Sequence, residues 1–395
     1  MVRKVAIIIE RADAALGGAE RSMFEVAEAL SALGPQVDLL AAKGQTRSSN
    51  VQVLYERVPG KRVSLAAFAE ALKRHLARTD YDIVHSVLPF DFADLYQPRG
   101  GTYAESLLRN AASYPNAILR CGKRLTAFAN RRRAGLLHAE RELCHGTEGP
   151  VIAALSQYVV AQLQQHYATD PARIVLTLNG VKIGPPVDSA LAGRLRTQIL
   201  SALGVAEADN PVLLLFAAHN FRLKGLDRLI RAMQMVSEAA AERPAYLIVV
   251  GAGRSGRYQR LAQRLGIEKR LLFLGESQDV RSVLSVSDIG ILPTFYDPSS
   301  RFILEALAAG KPVITTRFNG ATDHFTDGRH GRVVDSPDDL PALAEAIRHF
   351  TVPAHIEQAA QAIRDDRLAE KISIRRVAKE LLGVYDGILE RKAHR

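Results

Sequence analysis

Arg222 and Lys224 lie two residues apart and are followed by Gly225. The segment PVLLLFAAHNFRLKGLDRLI (211–230) reads as a strand, a loop and a helix, which puts both cations at the carboxyl end of the strand. Open parallel sheets bind ligands at that end, and two cations beside a glycine suit a diphosphate by charge pairing. A solvated basic turn would have the same composition. A second segment, LPTFYDPSSRFILEALAAGKPVITT (292–316), predicts a helix with Asp297 as N-cap and Pro298 at its first position. Ser299, Ser300, Arg301 and Phe302 then form the first turn, whose N–H groups would face an anion. Glu305 follows Asp297 by eight residues, so on a helix the two carboxylates share a face and can address one extended ligand. The plainer alternative is a capping Asp297 and a solvated Glu305.

Glycines mark two further junctions. Gly17 and Gly18 separate the first strand from the amphipathic stretch AERSMFEVAEAL, where backbone N–H groups and a helix N-terminus can approach a phosphate. An ordinary tight turn uses glycines the same way. Gly251-Ala252-Gly253-Arg254-Ser255-Gly256 is a literal G-x-G-x-x-G between a strand and a helix, with Glu276 further on. It has the form of a dinucleotide fingerprint and raises an NAD(P)-dependent oxidoreductase as an alternative. Its place, on about the second strand of a second domain, argues against that. Asp80-Tyr81-Asp82 is a D-x-D before a strand and reads as a turn, so no metal site is expected. Serine hydrolase, zincin and P-loop signatures are absent from the sequence.

The elements that must position these residues alternate between short β-branched runs and amphipathic stretches. VAIIIE (5–10), VDLLAA (37–42), VQVLYE (51–56) and YDIVHSV (81–87) are strands of the first half. AYLIVVG, RLLFLG, DIGILPT and PVITTR continue the pattern in the second. This βαβ rhythm implies parallel sheets covered by helices, and it appears twice. The proline-bearing segment GPPVDSALAGRLR (184–196) breaks it, so domains are expected at 1–185 and 186–350, with C-terminal helices at 351–395 packing back toward the first domain.

The 395 residues include 52 Lys plus Arg and 42 Asp plus Glu, a net charge of +10, which predicts an anionic partner. Residues 99–145 hold nine basic and three acidic residues, interleaved with Leu107, Leu108, Ile118, Leu119, Leu125, Phe128, Leu136 and Leu137. This stretch is expected to form basic amphipathic helices suited to an anionic membrane surface. A nucleic-acid-binding protein is the alternative, but few aromatics interleave the charges, and no nucleic acid is expected. No apolar stretch is long enough to span a bilayer, and two cysteines offer neither a disulfide framework nor a zinc site. A cytoplasmic protein, peripheral at the inner face of the membrane, is the expectation.

These motifs together resemble the retaining, GT-B fold glycosyltransferases of family 4. The resemblance covers about residues 1–350 and rests on Gly17-Gly18, on Arg222, Lys224 and Gly225, on the Gly251 and Gly253 turn, and on the segment from Asp297 to Glu305, which stands where that family has E-x7-E. It implies an α/β, GT-B architecture of two Rossmann-like domains facing one another across a cleft. It also implies hexosyl transfer with retention, without metal or cofactor, from a nucleotide diphosphate sugar, UDP-hexose above all. The basic pair and the helix start at Ser299 would hold the diphosphate, Glu305 the ribose, and Asp297, replacing the family's first Glu, the donor sugar. Lipopolysaccharide core hexosyltransferases are closest in texture, through DLYQPRGGTYAE (94–105) and the basic stretch after it. That implies a glycan or lipid-linked acceptor. Gly100 stands where a core glucosyltransferase of that group carries an Asp, which leaves Asp94, Arg99 and His85 as the first-domain candidates for catalysis. His85 also suits a structural histidine.

Overall fold

The computed structural model describes the chain apart from residues 1, 14–17, 46–47, 56–63, 128–129, 240–241, 277–278 and 395, and the side chains of 19 and 125–127. Gly17 and Phe128, and the side chain of Leu125, therefore lie outside the described residues. The fold consists of two compact units. One comprises Met1–Ala111, Pro115–Lys182 and Ser373–Arg395, and the other Ala112–Tyr114 and Ile183–Ile372.

In the first unit the strands are β1 (Lys4–Ala12), β2 (Gln36–Gly44), β3 (Val51–Val53), β4 (Ile83–Ser86), β5 (Leu95–Tyr96), β6 (Val151–Ala154) and β7 (Ile174–Leu176). They form one parallel sheet in the order β3-β2-β1-β4-β5-β6-β7. Successive side chains of a strand point to opposite faces, and both faces of β1 are covered. Val5, Ile7 and Ile9 pack with Met23 and Leu30 of the helix Gly18–Ser31. Ala6 and Ile8 pack with Phe68 and Leu72 of the helix Leu65–Leu76. That two-sided burial is why VAIIIE is apolar without alternation.

The last helix, Ile374–Ala393, belongs to this unit. Val377, Leu381, Tyr385 and Ile388 recur at helical spacing and are buried on the β1 face, each contributing about 1.5 to 3 kcal/mol of apolar burial. The helices Pro353–Asp365 and Leu368–Lys371, by contrast, lie in the second unit. The basic stretch forms the helices Tyr103–Ala112, Ala117–Ala127 and Arg131–Cys144. Among the described residues no helix is long and apolar enough to cross a membrane.

The second unit holds β8 (Val212–Ala217), β9 (Ala245–Val250), β10 (Leu271–Gly275), β11 (Ile289–Leu292), β12 (Val313–Thr316) and β13 (Gly331–Val334). Their order, β10-β9-β8-β11-β12-β13, is again wholly parallel. The direction of winding reverses between β8 and β11. Helices leave these two strands on opposite sides of the sheet, opening a crevice at their carboxyl ends where such folds take ligands.

Candidate functional site

The loops after β8 and β11 carry the residues singled out by the sequence, and they meet at this switch point. Lys224, in the loop between β8 and the helix Leu226–Glu238, places its Nζ 2.7 Å from Asp297 Oδ2. The same ammonium donates to the Tyr296 carbonyl at 2.8 Å. Gly225 permits the approach: its φ is +80°, and a Cβ there would lie 2.0 Å from the Pro293 carbonyl oxygen.

The helix that carries Glu305 begins later than its sequence predicts. It spans Arg301–Ala308 with Ser300 as N-cap, whose hydroxyl accepts from the Ile303 N–H at 3.5 Å. Asp297 is therefore not the cap. It closes a turn one step upstream, where its Oδ1 accepts the Ser299 N–H at 3.2 Å. Its own N–H donates to the Phe318 carbonyl and its carbonyl accepts the Gly320 N–H, both at 2.9 Å. Since Asp297 is not helical, the shared helical face with Glu305 does not exist. The loop, not the helical period, brings Asp297 to Lys224.

Asn319, absent from the sequence candidates, organises the same corner. Fully buried after β12, its Oδ1 accepts the N–H groups of Ser300 and Ala321, each at 3.1 Å, and its Nδ2 donates to Thr315 Oγ1 at 2.9 Å. The Asn-Gly pair directly after a predicted strand was the available signal. The expectation that Ser299 and Ser300 present their N–H groups to an anion is thus corrected: both already donate inside the protein, to Asp297 and Asn319. Phe302 packs inward beside Gly290 of β11, so its side chain is core. Arg301 donates to Glu305 Oε1 at 3.3 Å, one helical turn on, and 29% of the Glu305 side chain remains exposed.

Arg222 does not join Lys224. Its guanidinium lies 3.8 Å from the ring centroid of Tyr114 and donates to the Ser113 hydroxyl, both residues of this same compact unit. The Gly251 and Gly253 turn also has a packing cause. A Cβ at Gly251, whose φ is +144°, would lie 1.8 Å from the Ala218 carbonyl oxygen, and one at Gly253 would lie 2.4 Å from the Phe221 ring. The two glycines let the β9 loop close over the β8 loop, which accounts for the spacing without a dinucleotide.

In the first unit the three catalytic candidates separate. Arg99, after β5, is buried and donates to Asn179 Oδ1 at 2.8 Å, to Gln97 Oε1 at 3.4 Å and to the Ser22 hydroxyl. Gln97 in turn donates to Thr177 at 3.2 Å. Ser22 stands in the helix that begins at Gly18, so Arg99 ties that helix to the loops after β5 and β7. His85 is wholly buried, and its Nδ1 lies 2.7 Å from the Tyr385 hydroxyl. Burial and the nearby Arg99 charge press its pKa down to about 3, so the ring is neutral at physiological pH.

Asp94 sits at the opposite, amino end of the sheet. One oxygen accepts the Val84 N–H at 2.8 Å and the other meets Lys392 Nζ at 2.7 Å. Its expected place near the ligand is corrected accordingly, because a carboxylate preceding β5 cannot reach the carboxyl ends. Asp82, of the D-x-D, is likewise engaged by the N–H groups of Arg3 and Lys4.

A further buried carboxylate escaped the sequence reading. Glu140 accepts from the hydroxyls of Tyr96 at 2.7 Å and Tyr167 at 2.5 Å and from the Tyr103 N–H at 2.6 Å. Burial pushes its pKa up to about 7 despite these donors.

Comparison with known proteins agrees with this architecture. Residues 16–184 match the family model "Glycosyltransferase Family 4", and residues 210–351 match "Glycosyl transferases group 1". The lipopolysaccharide glucosyltransferase WaaG of Escherichia coli K12 is 27% identical over 205 residues, which are 52% of this chain and 54% of that protein. The chain spans about half the length of the first curated relatives it matches. The crystal structure of WaaG, described as a glycosyltransferase involved in lipopolysaccharide biosynthesis, superposes with a TM-score of 0.73 at 22% identity, covering 97% of this chain and 100% of that one. HepE of Anabaena, solved with UDP and glucose, does so with a TM-score of 0.68 at 16% identity, covering 98% and 100%. Two parallel α/β units, each matched by its own glycosyltransferase model, place the chain among the GT-B glycosyltransferases, where it resembles the lipopolysaccharide core transferases.

Proposed function

We propose that the protein transfers a hexose, with retention, from a nucleoside diphosphate sugar to a glycan or lipid-linked acceptor such as a lipopolysaccharide core. UDP-hexose is the expected donor, held by the second unit, and the acceptor is held by the first. The observation that carries this reading is the Lys224–Asp297 pair, which joins the loops after β8 and β11 at the switch point, with the Arg301–Glu305 pair on the helix that follows β11. An ammonium in that position stabilises the negative charge that grows on the diphosphate as the sugar leaves, more in the transition state than in the ground state. Neither a metal nor another cofactor is needed for this step. HepE, solved with UDP and glucose, and WaaG, named as a glucosyltransferase, support the donor class.

A panel of UDP, GDP and ADP sugars tests it by thermal stabilisation, since a ligand that binds the folded state raises stability by RT ln(1 + [L]/Kd). Stabilisation by one nucleotide family, together with transfer to a glycan acceptor, is the expected outcome. Saturable NAD(P)H binding with no response to any nucleotide sugar would reject it.

An anionic membrane surface is the proposed second partner, with the protein peripheral on the cytoplasmic face. In the helix Ala117–Ala127, Ile118 and Leu119 are exposed, 84% in the case of Ile118, alongside exposed Lys123 and Arg124. Leu136, by contrast, is core, and Arg132 pairs with Glu10, so Arg131 and Arg133 are the exposed members of their triplet. Co-sedimentation should require anionic vesicles and weaken as salt is raised. Equal partition to neutral vesicles would leave a soluble acceptor as the better reading.

A further inference from the structure

Resting on the donor-site reading above, the geometry points to Asp297 as a residue that acts through Lys224, holding its ammonium and offsetting its charge so that the diphosphate is not gripped too tightly to leave. An ammonium has three N–H donors. Two are engaged, by Asp297 Oδ2 at 2.7 Å and by the Tyr296 carbonyl at 2.8 Å, and the third has no acceptor among the described residues. Lys224 therefore presents one donor, in a fixed direction, from a side chain that is only 19% exposed.

Asp297 itself cannot swing out toward a sugar. Its N–H and carbonyl are bound to Phe318 and Gly320, its Oδ1 accepts the Ser299 N–H, and its side chain is 14% exposed. A glutamate, one methylene longer, could extend past the lysine. The aspartate stops at it. The carboxylate thereby becomes the counter-charge of Lys224 and a like charge to any diphosphate that Lys224 binds. Arg222, the other cation of the motif, is turned to Tyr114.

Two effects compete when Asp297 loses its charge. Removing a like charge that sits beyond the ammonium, about 6 to 8 Å from the phosphates, strengthens their binding by on the order of 30- to 100-fold at an effective dielectric near 20. Losing one hydrogen bond to the ammonium loosens it, but the Tyr296 carbonyl still holds Lys224, and an amide oxygen still accepts. The electrostatic effect wins, so neutralising Asp297 should tighten nucleotide binding and slow its release.

The test is calorimetric titration of the whole 395-residue chain with UDP, or with GDP or ADP if one of those is the nucleotide that wild type binds. Asp297→Asn should lower Kd by roughly tenfold and lower kcat together with KM for the donor. Asp297→Glu, which keeps the charge, should stay within about threefold of wild type. Asp297→Ser removes the charge while keeping an acceptor for the Ser299 N–H, and it gives the same reading if the Asn variant fails to fold. Unchanged or weaker UDP binding in the neutral variants, or loss of discrimination against deoxy-sugar donors at unchanged UDP affinity, would overturn the inference. If Lys224→Ala lowers UDP affinity while the neutral Asp297 variants do not raise it, only this inference falls. If wild type binds none of the three nucleotides, the donor-site reading falls with it.

Discussion

Each sheet carries polar residues at its carboxyl end, but in opposite states. In the first unit Arg99, Gln97, Ser22, Thr177, Asn179 and His85 are all buried and joined to one another or to Tyr385. In the second, the Lys224–Asp297 and Arg301–Glu305 pairs keep part of their side chains in contact with solvent. A buried polar group is tolerated only when it is hydrogen-bonded, and once bonded it rigidifies what it touches. An ammonium that keeps some contact with solvent and has a donor to spare can take up a ligand without being unpacked from the protein. The difference separates a structural lock from a binding surface, although both sets lie where a parallel sheet takes its ligand.

Substitutions should break the two sets differently. Arg99→Ala orphans Ser22, Asn179 and Gln97 inside the first unit, so a loss of about 4 kcal/mol in unfolding free energy is expected by denaturant titration. An unchanged midpoint would show that Arg99 is no lock. Lys224→Ala should lower that midpoint less, because Asp297 keeps the Ser299 N–H and some contact with solvent, and should chiefly raise the activation barrier by about 2 to 4 kcal/mol, roughly 30- to 1000-fold in turnover. Near-normal turnover would remove Lys224 from the donor site.

Glu140 sharpens the first half of the comparison. Its folded pKa is raised to about 7 from an ordinary 4.5, so the folded state binds the proton more readily than the unfolded chain does. Its contribution is full below the unfolded value and is lost as pH rises through about 7, with a span of roughly 2 to 3 kcal/mol. Stability measured from pH 4.5 to 7.5 should carry this downward component, and Glu140→Gln should remove it. An identical slope in the variant would show that the carboxyl group does not titrate there. The smallest effect is expected at Glu305, where loss of a partly exposed carboxylate should weaken nucleotide binding by about 1 to 2 kcal/mol in Glu305→Ala and less in Glu305→Gln. Unchanged calorimetric affinity in both would make Glu305 merely the partner of Arg301.

Much of this was legible along the chain. Strand runs such as PVLLLFAA and DIGILPT became β8 and β11 because an uninterrupted apolar run is what a strand covered on both faces requires. The Arg-Leu-Lys-Gly loop was correctly placed after β8, because a loop's position follows from the elements on either side. The start of the helix carrying Glu305 was not, since Asp297, Ser299 and Ser300 are all competent caps and only Asn319, brought in from after β12, decides among them. Short strands such as β5 left no pattern to read: two residues cannot show a period.

Residue types, alternation and turn chemistry act over a few positions, so the sequence by itself determined two parallel α/β units and the loops in which their charged residues lie. Which of those residues would be buried, paired or left facing solvent was decided only by tertiary structure. Asp94 meets Lys392 and His85 meets Tyr385 across some 300 residues of chain. Arg222 and Lys224, two residues apart, are drawn to Tyr114 and Asp297. A side chain's charge state, exposure and partner depend on what packs around it in space, and local sequence holds no record of that.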